Sequence, residues 1–91
     1  MVSYQSGGEV LQPGVRVVFS GRITVDNELV PQGDKLRALC SEVGLVYKTS
    51  VSQTGCDAVI ADSLTTAKVR RANDYGKPIV SVADFSDWVL A

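Results

Sequence analysis

Short apolar runs without polar alternation constrain this chain more than any other feature. Val15–Ser20 reads V-R-V-V-F-S, Ala58–Ala61 reads A-V-I-A, and Pro78–Val80 reads P-I-V. A strand with one solvated face alternates apolar and polar side chains. A strand apolar on successive residues must be covered on both faces, as in a parallel sheet sandwiched by helices. With Leu45–Tyr47 added, the runs make four strands, and A-V-I-A, with no polar position, belongs in the middle of the sheet.

The segments between these runs carry helical spacing. Leu36, Leu39, Cys40 and Val43 recur on one face of a helix expected over Gln32–Val43, and Gly44 follows as its C-cap. Val69, Ala72 and Tyr75 form the apolar stripe of a second helix. Thr65 or Thr66 caps its start and Gly76 ends it. Ser81 caps a third, with Asp84 three residues on in a variant of the capping box, and with Phe85, Trp88 and Val89 as its buried face. The expected order is β-α-β-β-α-β-α: an α/β domain with a four-stranded parallel sheet flanked by three helices. Right-handed crossovers put the first and third helices on one face and the second on the other. Residues 22–31 have mixed polarity and end at Pro31, so they read as a loop. Residues 1–9, rich in Ser, Gln and Gly, read as a flexible linker to a domain spanning 10–91, as in a piece of a longer protein.

Ninety-one residues support a single core. The net charge of -1 excludes a polybasic nucleic-acid binder, so any anion site must come from local placement of charge. There are two cysteines, Cys40 and Cys56, and no histidine. Their spacing matches no zinc motif, and both read as free thiols in a reducing, cytoplasmic compartment. No run approaches the roughly twenty apolar residues of a membrane span, and no signal peptide is visible at Met1. No metal or cofactor is expected. Catalysis has little support: no histidine serves a Ser or Cys nucleophile, Asp26 and Glu28 have no visible acid–base partner, and no G-x-G-x-x-G follows the first strand.

Several positions together resemble the BRCT domain, over about Leu11 to Leu90. Val15–Gly21 is similar to that family's first strand and its Ser/Thr-Gly ending. Gly44 stands where the family has a glycine pair, with Leu45 in place of the second. Cys56-Asp57-Ala58-Val59 takes the place of a Thr-His-Leu-Val-like segment. Gly76-Lys77-Pro78-Ile79-Val80, followed by Phe85 and Trp88, is the best match. The run V-V-F-S-G and the run K-V-R-R-A-x-x-Y-G-K-P-I-V look most like the BRCT domains of bacterial polymerase III epsilon-like exonucleases, with those of NAD-dependent DNA ligases next.

The resemblance implies a recognition module that catalyses nothing. In its phosphate-binding members a hydroxyl after the first strand, the next backbone N–H and a lysine early in the second helix grip the phosphate. Carried onto this chain these are Ser20, Gly21 and Lys68, the last lying eight positions before Gly76. The chemistry is coherent: a hydroxyl donates, a glycine amide approaches closely, a helix N-terminus offers N–H groups, and lysine adds a full charge. Arg22, Thr66 and Arg71 are further candidate DNA contacts. Lys68, Arg70, Arg71 and Lys77 outnumber Asp62 and Asp74 in that stretch. The plainer reading of these charges is a solvated helix face, and of Trp88 and Cys40, core. The expected ligand is DNA, read at a 5′-phosphorylated end, or another phosphorylated ligand. The alternative is a protein–protein interaction module with no phosphate. A small phosphoryl-accepting enzyme lacks the acidic cluster it would need after the first strand.

Overall fold

The computed structural model describes residues 3–91. In chain order its elements are α1 (Gly7–Val10), β1 (Arg16–Ser20), β2 (Thr24–Val25), β3 (Glu28–Leu29), α2 (Asp34–Val43), β4 (Val46–Lys48), β5 (Ala58–Ala61), α3 (Ala67–Asp74), β6 (Ile79–Ser81) and α4 (Val82–Leu90). β4, β1, β5 and β6 form one sheet in that spatial order, and every pairing is parallel. The result is a mixed α/β fold with a four-stranded parallel sheet and four helices.

Successive strand residues point to opposite faces, and both faces are covered. Val17 and Phe19 of β1, Ala58 and Ile60 of β5 and Val80 of β6 pack with Leu36 and Cys40 of α2 and with Val82 and Phe85 of α4. Val18, Val59, Ala61 and Ile79 pack on the other face with Val69 and Ala72 of α3. Two of the unalternating runs, β1 and β5, are therefore the central strands, with Val17, Val18, Val59 and Ile60 fully buried, while the third, β6, lies at the sheet edge. α2 and α4 lie on one face and α3 on the other, as the crossover rule requires. Phe19 and Phe85 meet edge to face at 5.3 Å between centroids and tie α4 to β1. Cys40 and Cys56 are buried free thiols in the two separate clusters, with the sheet between them.

The structure departs from the sequence expectation in five places. The linker expected at 1–9 is only partly in view, because Met1 and Val2 lie outside the described residues. Gln5 bridges to Val80 beside β6, and its N–H donates to the Ile79 carbonyl at 2.6 Å. Gly7 is buried at the start of α1, a fourth helix. A Cβ there would lie 3.1 Å from Cβ of Asp84 and 3.3 Å from Val80, so a glycine tract that reads as flexible is the close-approach surface of a short helix.

The second difference is the expected loop at 22–31. It contains a β2–β3 hairpin whose turn, Asp26-Asn27, has positive φ at both residues (53° and 64°). That is the backbone of a type I′ turn, which Asp and Asn tolerate. Third, α2 starts at Asp34 rather than Gln32, after Gly33 with φ 107°. Fourth, Tyr75 is 40% exposed and Trp88 only half-buried at the rim of the α4 cluster, so neither is central core. The helical period reached them, but both sit near a helix end where the partner layer stops. Fifth, the capping box at α4 is half made. Ser81 Oγ accepts from the Asp84 N–H at 3.1 Å, while the Asp84 carboxylate accepts from the Gly7 N–H at 3.2 Å and holds α1 instead.

Candidate functional site

Strand order decides where a ligand can sit. From β1 the chain passes through α2 to β4 on one side, and the next sheet strand, β5, lies on the other side of β1. The helices that follow β1 and β5 cover opposite faces, so a crevice opens at the carboxyl ends of these two strands, where open α/β sheets bind ligands. The register pairs Ser20 with Ala61, which sets Gly21 and Asp62 level at the mouth of that crevice.

Ser20 is 4% exposed and is the buried polar residue of the core. Its hydroxyl donates to Thr66 Oγ1 at 2.7 Å. Thr66 is the N-cap of α3, and the same Oγ1 accepts from the Val69 N–H at 3.3 Å. With both lone pairs engaged, the Thr66 hydroxyl hydrogen is free to turn outward. Lys68, in the first turn of α3, reaches back across the crevice and donates from Nζ to the Phe19 carbonyl at 2.9 Å. An ammonium has three N–H donors, and this bond uses one. Gly21 has φ 84°, a conformation that costs any other residue a Cβ clash.

The structure thus brings Ser20, Gly21, Thr66 and Lys68 together, and it rearranges their parts. Ser20 lies behind Thr66, so the hydroxyl nearer the solvent is that of Thr66. Arg22 and Arg71 fall outside this group. The Arg22 side chain lines a neighbouring groove of ≈ 670 Å³, bounded by α4 and the β2–β3 hairpin, together with Asp26, Asp62, Ser86 and Asp87. Arg71 is exposed in the last turn of α3, where a positive charge suits the helix C-terminus.

The residue that sequence reasoning missed is Asp62. Its carboxylate accepts from the Arg22 N–H at 3.1 Å and lies over Gly21, so closely that a Cβ at position 21 would land on it. Asp62 enters the sequence reading only as a charge offsetting the α3 lysines and arginines. Its place directly after a fully apolar strand was the available signal, because the first residue beyond the carboxyl end of a central strand faces the crevice.

At the other end of β1 a second polar cluster is closed. The Asp57 carboxylate accepts from the Arg16 guanidinium at 3.0 Å through both oxygens and from the Arg16 backbone N–H at 2.9 Å, and Arg16 Nη1 donates to the Thr54 carbonyl at 2.7 Å. These bonds from Arg16 hold the Asp57 carboxyl below the usual range, at about 2. Burial pushes the Cys40 thiol up to about 11, which leaves it protonated and inert. Among the described residues, no group of three or more His, Cys, Asp and Glu is placed to hold a metal ion, and no helix is long and apolar enough to cross a membrane. No known protein family, curated protein or solved structure matches the chain.

Proposed function

We propose that this domain is a non-catalytic recognition module of the BRCT kind, working in the cytoplasm within a bacterial DNA replication or repair protein. Its ligand carries a phosphate, and the 5′-phosphorylated end of DNA is the ligand of choice. One observation carries this reading: Ser20, Gly21, Thr66 and Lys68 come from separate parts of the chain and converge at the crevice between β1 and β5. Lys68 supplies the charge, Thr66 the outward hydroxyl, and the start of α3 the N–H groups of a helix N-terminus. A module that binds and does not react also suits the local chemistry. The Ser20 hydroxyl donates to another hydroxyl and not to a base, so nothing activates it as a nucleophile. No cofactor is needed.

The test is a titration at low salt with a 5′-phosphorylated duplex and its unphosphorylated twin, followed through backbone amides. The phosphorylated duplex should move the amides of residues 20–22 and 66–69 and bind more tightly. Binding should weaken with added salt because it is electrostatic, and only shallowly because it neutralises few phosphates. If both duplexes move these amides equally, the surface binds the DNA backbone without reading the end.

A specific observation favours a second reading, a protein–protein interaction module with no phosphate. The Asp62 carboxylate already holds the Arg22 N–H at the turn where a phosphate would approach. If neither duplex moves residues 20–22 and 66–69, that reading replaces the first.

A further inference from the structure

We infer that Asp62 is an internal competitor for the ligand's phosphate, one that lowers the affinity of the crevice, most for the most highly charged anions. The inference rests on the phosphate reading above and deepens it. Three features place the carboxylate in that role. It accepts the Arg22 N–H at 3.1 Å, so it occupies the anion side of the Gly21–Arg22 turn. It covers Gly21, the residue whose lack of a side chain would otherwise leave the turn open to an incoming oxygen. Its own backbone N–H donates to the Ser20 carbonyl at 3.4 Å, so the carboxylate is anchored beside the Ser20–Thr66 pair rather than on a remote loop.

Asp62 is also exposed. Water can take over its hydrogen bonds if the side chain rotates away, so displacement costs little bonding. The larger effect is Coulombic. A phosphate seated beside Lys68 also meets the Asp62 carboxylate in a water-rich setting, and one carboxylate at a separation on the order of 6 Å weakens a phosphate of nearly two charges about five- to tenfold at low salt. A diester of the DNA backbone, with a single charge, is repelled about half as strongly in free energy as a terminal phosphate monoester. Asp62 therefore narrows the preference of the crevice for phosphate ends over the DNA backbone.

The experiment uses the intact 91-residue chain as wild type, Asp62→Asn and Asp87→Asn. Asn keeps the size of Asp62 and retains a carbonyl that can accept the Arg22 N–H, so the turn survives. Asp87 lines the neighbouring groove but makes no bond to the turn, and serves as a charge control. Inorganic phosphate, the phosphorylated duplex and the unphosphorylated duplex are titrated separately, with the amides of residues 20–22 and 66–69 as the readout. The expected result is about five- to tenfold tighter phosphate binding by Asp62→Asn, a change within about twofold for Asp87→Asn, and a larger preference of Asp62→Asn for the phosphorylated duplex. Equal phosphate binding by wild type and Asp62→Asn overturns this inference and leaves the phosphate pocket standing. An equal gain in Asp87→Asn also overturns it, by showing a general charge effect. Failure of both wild type and Asp62→Asn to bind phosphate overturns the pocket itself, and with it any role for Asp62 as a competitor.

Discussion

The two ends of β1 each hold an aspartate against the strand's own backbone, yet they are built differently. At the amino end, Asp57 accepts from the Arg16 backbone N–H and from the whole face of its guanidinium, and Arg16 spends a further donor on Thr54. Charge is matched to charge, with the guanidinium and the carboxylate in a direct ion pair. At the carboxyl end, Asp62 accepts one backbone N–H, that of Arg22, while Lys68 pairs with a neutral carbonyl. The amino end is a clasp, closing the 49–57 connection onto β1. The carboxyl end has an ammonium on a neutral carbonyl and an exposed carboxylate, as the proposed phosphate site requires before its ligand arrives. Polar residues at a strand end are therefore informative through whether their charges are matched, not through their number.

The largest effect should come from the part both ends share. Phe85 is fully buried and packs on Phe19, the β1 residue whose carbonyl receives Lys68. Phe85→Ala should cost about 3–5 kcal/mol of stability, measured by denaturant unfolding, and loosen both ends together. Intact protection of the Asp57 cluster in hydrogen exchange, with the Lys68 end lost, would show instead that the two ends are independently stable. Trp88→Ala should cost less, because Trp88 lies at the rim.

Gly21→Ala should separate the ends. An alanine with φ near 84° costs about 1–2 kcal/mol, and its Cβ must push the Asp62 carboxylate aside. Amide shifts should be confined to the carboxyl end. A change at residues 54–57 in the same spectra would break the separation of the two ends.

Acid should act on the amino end. The folded carboxyl of Asp57 is held at about 2, below its unfolded value of about 4. Its contribution to stability is thus complete above about pH 4 and is lost as pH falls from there toward 2. Asp57→Asn should lower stability at neutral pH and flatten the loss across that window, followed as the unfolding midpoint between pH 5 and 2. An equally steep acid limb in the variant would place the responsible carboxylates elsewhere.

The smallest effect on stability should be that of Lys68→Ala, below about 1 kcal/mol, because its bond to the Phe19 carbonyl is half-exposed and water can replace it. The same variant should lose most of the preference for a 5′-phosphorylated duplex. A large drop in melting temperature would make Lys68 a clasp like Arg16, and the contrast between the two ends would collapse.

The sheet, its parallel sense and the placement of the helices on its two faces were legible in the chain because burial on both faces leaves a simple mark: V-V-F and A-V-I-A carry no polar alternation, and Val69 and Ala72 repeat at helical spacing. Ser20, Gly21 and Lys68 were legible as a group through the resemblance, and their convergence follows from strand order. What only the tertiary structure decided was how the polar atoms share partners. Ser20 gives its hydrogen to Thr66, Asp84 leaves its own cap to hold Gly7, Asp62 turns onto Arg22, and Gly7 is a contact rather than a hinge. Hydrophobic burial depends on the average character of a segment, which a sequence states directly. A hydrogen bond depends on a few tenths of an ångström between residues forty or more positions apart, and that distance exists only once the sheet has brought them together.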